Sequence, residues 1–125
     1  MSPTAWIAFL VAAGLGAPAR YLLDGWVQER TGGAFPWGTF AVNISGSFAL
    51  GLLTGLGLYH ALSPVTRTVI GTGGLGAYTT FSTMTFETVR LAEEGATNEA
   101  VRNAGANLVV GFAAAALGLA TAAVL

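Results

Sequence analysis

Residues 71–84, GTGGLGAYTTFSTM, combine a flexible backbone with many hydrogen-bonding side chains. Glycines occupy positions 71, 73, 74 and 76, and the serine and threonine hydroxyls of the stretch belong to Thr72, Thr79, Thr80, Ser82 and Thr83. No charged residue lies between Arg67 and Glu87. The stretch is too polar for an ordinary hydrophobic core and too apolar for a solvated loop, so it indicates polar residues placed within a membrane.

The polar side chains of the apolar segments are mostly hydrogen-bond donors. They are Arg20, Asn43, Ser45, Ser47, Thr79, Thr80, Ser82, Thr83 and Asn107. Amides and hydroxyls can donate to an anion, and the edge of an aromatic ring carries positive partial charge. Acidic residues are absent from the segment interiors, because Asp24 and Glu87 lie near segment ends. This inventory favours an anion as the bound solute, with Arg20 either drawing anions in or anchoring its helix at the interface.

The glycines allow two functional interpretations. Gly71, Gly73 and Gly76 match the spacing of a dinucleotide fingerprint, but the chain is too short for a doubly wound sheet and no alternating strands flank the motif. Each glycine costs a helix interior about 1 kcal/mol. We therefore predict a helix broken near residues 74–80, with a continuous glycine-rich packing helix as the alternative. The carbonyls freed at a break suit a small hard cation.

Composition and charge clustering show which elements must position these groups. The 125 residues are 54% hydrophobic and 9% charged, with five basic and six acidic side chains and no cysteine. A soluble domain carries about 25% charged residues. The sequence predicts an all-α integral membrane protein, a single domain over 1–125 with four transmembrane helices near 4–24, 37–60, 66–91 and 98–124. With a net charge of −1 and no basic patch, nucleic acid is not expected as a partner.

Four spans place both termini on one side of the membrane. Arg30, Arg90 and Arg102 then flank the opposite side, whereas Arg67 lies alone with the termini. The bias in positive charge is small, so the orientation is weakly specified and insertion in both directions is allowed.

Small residues recur every four positions on the second and fourth spans, which predicts close helix packing in lipid. The two stripes are Asn43, Ser47, Gly51, Gly55 and Asn103, Asn107, Gly111, Ala115. Four spans enclose little interior, so we expect a solute pathway between subunits, most simply in a dimer.

Three ordered motifs resemble the small bacterial fluoride channels called Fluc or CrcB. The first span carries Gly16-Ala17-x-x-Arg20-Tyr21, and the second carries Gly38-Thr39-x-x-x-Asn43-x-x-Gly46-Ser47. The third carries Gly73-Gly74-x-Gly76-Ala77-x-Thr79-Thr80-Phe81-Ser82-Thr83. Length and four-span layout agree as well, so the resemblance covers the whole chain.

The resemblance implies a multi-pass protein of the inner (plasma) membrane that passively exports cytoplasmic fluoride and rejects chloride. It implies an antiparallel, dual-topology homodimer with two pores and a structural sodium ion at its centre, held by the carbonyls of Gly76 and Thr79. The residues that it assigns to the fluoride pathway are Arg20, Asn43, Phe81, Ser82, Thr83, Met84 and Asn107. We expect Asn43 to be a pore donor that orients Phe81.

The sequence departs from the family at three positions. Met84 stands where a second phenylalanine is expected, and Asn103 and Asn107 stand where the family tends to have Tyr and Ser. Methionine has no ring edge to offer an anion, so we expect Met84 to act as a steric wall.

Two other function classes remain as alternatives. A small dual-topology multidrug exporter would be energy-coupled and would need a membrane-embedded acid, and a structural membrane subunit would transport nothing. An enzyme is not expected, because His60, near a span end, has no partner at useful spacing and is interpreted as interfacial.

Overall fold

A computed structural model describes residues 1–125 and contains four helical segments and no strand. Helix α1 covers Pro3–Thr31 and begins where the Ser2 hydroxyl accepts a hydrogen bond from the amide of Ala5 at 3.2 Å. Helix α2 covers Trp37–Tyr59, and helix α6 covers Thr97–Val124. The prediction of an all-α chain with four helical segments is confirmed.

The third segment consists of several short pieces. It begins with α3 (Pro64–Arg67), widens into a π-helix, π1 (Thr68–Leu75), and continues as α4 (Gly76–Tyr78). Thr79 and Thr80 are extended, with ψ angles of 158° and 118°, and α5 then covers Phe81–Glu93. The predicted break is confirmed, and a continuous third helix is wrong.

The glycines lie on the N-terminal side of this break and do not form it. Gly71, Gly73 and Gly74 all belong to π1, which keeps a helical backbone. A Cβ built on Gly16 of α1 would collide with the carbonyl oxygen of Gly74. A Cβ added to Gly73 would lie 3.0 Å from the carbonyl oxygen of Phe9, so Gly16 and Gly73 allow α1 and π1 to approach closely. The sequence argument therefore located the break correctly but assigned the wrong role to the glycines. The π-helix itself was not predicted.

Small residues join α2 to α6, as the two stripes predict. A Cβ added to Gly51 would collide with the backbone of Ala115, and one added to Gly118 would collide with the carbonyl oxygen of Phe48. Because a side chain on either glycine would force the helices apart, close approach of the two backbones depends on these positions. Helix α5 packs on the N-terminal part of α6, and α1 covers π1, α4 and α2.

The outer surface of the molecule is apolar. Large hydrophobic side chains such as Leu15 and Phe112 are 68% and 74% exposed. Three helices, α1, α2 and α6, are long and apolar enough to cross a membrane. The third segment is divided into short pieces, of which the longest, α5, has 13 residues.

Candidate functional site

Asn43 of α2 holds the break in the third segment. Its Oδ1 accepts a hydrogen bond from the amide of Thr80 at 2.8 Å, and its Nδ2 donates to the carbonyl oxygen of Thr80 at 2.9 Å. One side chain thus replaces both helical partners of an extended residue. Such replacement is required for irregular backbone at membrane depth.

Thr80 also caps the helix that follows the break. Its Oγ1 accepts from the amide of Thr83 at 3.2 Å and lies 3.1 Å from the Thr83 hydroxyl, to which it donates. Thr80 is buried, and a threonine at this position satisfies one of the free amides at the start of α5. The hydroxyl of Ser82 lies 3.4 Å from the same oxygen.

A chain of three asparagines extends from the break along α6 and returns to α5. Asn43 Nδ2 donates to Asn107 Oδ1 at 3.2 Å, and Asn107 Nδ2 donates to Asn103 Oδ1 at 3.0 Å. Asn103 Nδ2 then donates to the Thr88 hydroxyl at 2.8 Å, and that hydroxyl donates to the carbonyl oxygen of Met84 at 2.8 Å. We call this series the amide chain. It links α2, α5 and α6 through hydrogen bonds that run in one direction.

Asn103 and Thr88 are the members of the amide chain that the sequence did not assign to the site, and Asn103 is the more buried of the two. Its side chain is 0% exposed, and it also donates to the Met84 carbonyl at 3.3 Å. The signal that could have identified it was its spacing of four residues from Asn107 on α6. The three residues that differ from the expected family pattern, Asn103, Asn107 and Met84, are therefore joined to one another by hydrogen bonds.

Two cavities meet at Thr80. The break cavity, of about 370 Å³, is lined by Asn43, Gly46, Ser47, Leu50, Gly71, Leu75, Gly76, Thr79, Thr80, Phe81, Met84, Ala104, Asn107 and Leu108. The arginine cavity, of about 200 Å³, is lined by Arg20, Tyr21, Asp24, Thr39, Val42, Thr80 and Thr83. Thr80 is the one residue common to both linings. The break therefore separates an arginine-bearing cavity from one lined by amides and hydroxyls.

The predicted pathway residues divide between these cavities. Arg20 and Thr83 line the arginine cavity, whereas Asn43, Phe81, Met84 and Asn107 line the break cavity. Ser82 is in neither lining. The Phe81 ring is 75% exposed at the start of α5. Their roles in ion passage stay predictions, and the observed partners of Asn43 are the Thr80 backbone and Asn107.

Glu87 lies near the end of the third segment, as the sequence indicates, and is partly buried. Glu87 Oε1 accepts a hydrogen bond from the Thr39 hydroxyl at 2.8 Å, and its Oε2 is buried without a hydrogen-bond partner. Asp24 packs against Gly38 on the same side of the molecule. Helix α5 packs against α2 and α6, and the Thr39 hydroxyl of α2 is the hydrogen-bond partner of this carboxylate.

Gly76 and Thr79 are among the residues whose backbone carbonyls lose their helical donors at the break. The amide that would serve Gly76 belongs to Thr80 and donates to Asn43, and the amide that would serve Thr79 belongs to Thr83 and donates to Thr80 Oγ1. Both residues line the break cavity. No three His, Asp or Glu side chains come together in the structure, so a cation here would depend on such carbonyls. Carbonyl oxygens are ligands that suit a hard cation.

Comparison with known proteins extends over most of the chain. A family model described as "CrcB-like protein, Camphor Resistance (CrcB)" matches residues 7–119. A protein of Leifsonia xyli subsp. xyli named fluoride-specific ion channel FluC 1 is 45% identical over 119 residues, which are 95% of this chain and 87% of the relative. A protein of Symbiobacterium thermophilum with the same name is 48% identical over 117 residues, 92% of this chain and 94% of the relative. A fluoride-specific ion channel FluC of Acidobacterium capsulatum is 47% identical over 115 residues, 91% and 90% of the two chains.

Proposed function

The chain belongs to the CrcB family, and from this membership and the cavities at the helix break we propose that it is a fluoride-specific ion channel. It is a membrane protein and not an enzyme. The observation that carries the proposal is the break cavity, which places polar side chains beside a helix break, in a chain whose curated relatives are named fluoride-specific ion channels. Passive passage would lower the fluoride concentration inside a cell.

Fluoride is small and strongly hydrated, so a narrow pathway must replace its water with donors at short distance. Arg20 in the arginine cavity supplies positive charge at one end, and the break cavity supplies polar side chains beyond Thr80. A positive charge near a pore mouth raises the local anion concentration without a tight binding site. Chloride loses its water more easily, but it is larger and accepts weaker hydrogen bonds, so a narrow pathway lined by close donors excludes it by size.

The experiment is fluoride efflux from liposomes that contain the purified protein, followed with a fluoride-selective electrode. The potential is clamped with a potassium ionophore, and no proton gradient is applied. We expect fluoride to leave and chloride to be retained. Absence of efflux, or equal chloride efflux, would end the proposal.

The same assay separates the channel from an energy-coupled exporter. Glu87 is a buried acid of the kind that a proton-coupled exporter needs, so it is the observation that favours this second candidate. A channel keeps its fluoride flux when the pH is equal on both sides, whereas an exporter depends on the proton gradient.

We also propose that the active form is an antiparallel homodimer in the inner membrane. The Phe81 ring is 75% exposed on one side of the monomer, and a pathway there needs a second wall. The weak charge bias is compatible with insertion in both directions.

The chain has no cysteine, so topology can be read from single-cysteine variants. Val65→Cys and Glu94→Cys mark opposite ends of the third segment. With dual topology, about half of each variant should react with an impermeant maleimide in intact cells, since the two orientations are equally populated. Complete labelling of one variant and none of the other would indicate a single orientation.

Finally, we propose that a sodium ion binds to the carbonyl oxygens of Gly76 and Thr79. Both oxygens have lost their helical amide donors, and oxygen ligands suit a hard monovalent cation. The ion would supply positive charge at the break. We expect the thermal unfolding midpoint in detergent to fall when sodium is exchanged for N-methyl-D-glucamine, and an unchanged midpoint after prolonged exchange would contradict the site.

A further inference from the structure

We propose that Ser47 is the hydroxyl that binds the permeating anion on the wall of the break cavity. The inference deepens the proposed function and rests on it for the identity of the anion. Ser47 was counted among the donors of the second span but was not assigned to the pathway.

The amides of the break cavity have no hydrogen left for a ligand. Asn43 Nδ2 donates to Thr80 and Asn107, and Asn107 Nδ2 donates to the carbonyl and to Oδ1 of Asn103, at 2.7 and 3.0 Å. An anion bound to either amide would have to break a bond that holds the helices together. Their first role is therefore structural.

The threonine hydroxyls of the cavity are also engaged. Thr79 Oγ1 donates to the carbonyl oxygen of Leu75 at 3.0 Å, and Thr80 Oγ1 donates to the Thr83 hydroxyl at 3.1 Å. Each hydroxyl has a single hydrogen to donate. Neither residue can therefore serve an anion while these bonds persist.

Ser47 is the remaining polar side chain of the cavity lining, and its hydroxyl makes no hydrogen bond within the protein. A serine or threonine inside a helix commonly donates to the carbonyl one turn earlier. Thr54 on the same helix does so, to Leu50 at 2.8 Å, whereas Ser47 does not. The Ser47 hydroxyl therefore keeps its hydrogen for a ligand or for water in the cavity.

Ser47 lines the break cavity, whose volume of about 370 Å³ leaves room for a small ion. Across the helix pair lies Gly111 of α6, where an added Cβ would be 3.7 Å from Ser47 Oγ. Ser47 lies one helical turn from Asn43 and next to Gly46, which contacts Thr79 beside the break. An ion at Ser47 would thus be bounded by α2, α6 and the broken segment. A partly dehydrated anion gains more from such a charge-assisted bond than a neutral solute does.

The test compares three variants in the liposome efflux assay. Ser47→Ala removes the hydroxyl, Ser47→Thr retains it, and Thr54→Ala removes a hydroxyl that is satisfied by its own helix. A hydrogen bond to a charged group is worth about 1.5–3 kcal/mol, so we expect fluoride efflux through Ser47→Ala to fall at least about tenfold. We expect Ser47→Thr and Thr54→Ala to stay within about threefold of the unsubstituted protein.

A binding measurement makes the result independent of conduction. Fluoride should raise the thermal unfolding midpoint of the unsubstituted protein in detergent and should raise that of Ser47→Ala much less, because a ligand stabilises the folded state that binds it. Without fluoride the two midpoints should agree, since Ser47 loses no internal bond.

Three outcomes would overturn the inference. These are efflux through Ser47→Ala at the unsubstituted rate, an equal loss in Ser47→Ala and Ser47→Thr, and a lower Ser47→Ala midpoint in the absence of fluoride. If the unsubstituted protein releases no fluoride, the proposed function fails, and the Ser47 site then depends on the midpoint measurement alone.

Discussion

Helices α2 and α6 meet in two different ways along their length. Towards the C-terminal end of both helices, Gly51 and Gly118 allow the backbones to touch. The side-chain hydrogen bond at this end joins His60 Nε2, at the C-cap of α2, to the carbonyl oxygen of Ala122 at 2.8 Å. Towards the other end, Asn43, Asn103 and Asn107 join the helices and extend the contact to α5. Both regions occupy the same helix pair in the same solvent.

The difference shows that two kinds of residue have two roles: glycines let α2 and α6 pack together, and asparagines hold the broken third segment in place. In lipid no hydrophobic effect drives apolar helices together. Van der Waals contact between closely packed backbones therefore provides the attraction between α2 and α6. A packed glycine surface, however, cannot hold an extended segment such as Thr79–Thr80. The amides can, because they pair with backbone groups that the break leaves free.

The largest effect is expected from Asn43→Asp, which breaks the amide region at its origin. The substitution removes both amide donors and places acceptor oxygens against the Thr80 carbonyl and Asn107 Oδ1. Two buried bonds lost at about 1–3 kcal/mol each should reduce fluoride efflux by at least about a hundredfold. Liposome efflux provides the measurement.

The control for this variant is Asn98→Asp, which makes the same chemical change at an exposed position of α6. It should conduct normally. If Asn43→Asp retains fluoride efflux, the hydrogen bonds between Asn43 and the Thr80 backbone are not needed for fluoride to pass.

The next effect concerns the glycine region. Gly118→Ala should lower the free energy of unfolding by about 1–3 kcal/mol, because its Cβ meets the Phe48 carbonyl and the Leu52 amide of α2. Gly105→Ala on the same helix has nothing within 4 Å and should be neutral or slightly stabilising. Unfolding in mixed detergent micelles measures both. Equal values for the two variants would contradict the packing account.

A smaller effect is expected at the far end of the amide chain. In Thr88→Val the Asn103 amide keeps the Met84 carbonyl as an acceptor but loses the Thr88 hydroxyl. The substitution should lower the free energy of unfolding by about 1 kcal/mol. The comparison is Thr85→Val on the same helix, whose exposed hydroxyl bonds only to carbonyls of its own helix, those of Phe81 and Ser82. If Thr88→Val and Thr85→Val lower the free energy of unfolding equally, the amide chain does not stabilise the packing of α5 on α6.

The smallest effect is expected from Met84→Leu. Met84 joins the amide chain through its carbonyl oxygen, which any residue supplies. Its side chain adds volume to the cavity wall and a weak sulfur acceptor 3.9 Å from the Thr88 hydroxyl. A leucine of similar volume should keep fluoride efflux within about threefold, since such exchanges cost less than about 1.5 kcal/mol. A tenfold loss would mean that the sulfur itself takes part.

The sequence predicted the break and the stripes because both depend on local composition. In an uncharged segment, a dense group of glycines followed by hydroxyl side chains indicates an interrupted helix. Small residues at every fourth position define one face of a helix and predict close packing there. It did not predict π1, since glycine permits several helical geometries and the choice depends on how closely α1 approaches Gly74.

The buried acid at Glu87 and the amide chain depend on contacts between distant parts of the sequence. Thr39 and Glu87 are separated by 48 positions, and Asn43 and Asn107 by 64. Position along a span gives only the depth of a residue in the membrane. Whether an acid at that depth meets water or a threonine is set by the neighbouring helix.

The sequence by itself determined the solvent, the number of helical segments and the place where one of them breaks. Hydropathy sets the solvent and the number of segments residue by residue. The composition of 71–84 marks the break, although the extended residues are Thr79 and Thr80, after the glycines. Only the tertiary structure decided which donors are already used. An amide looks the same in a sequence whether it faces an ion or a carbonyl, and only the folded chain shows that Asn43 and Asn107 are engaged while Ser47 is free.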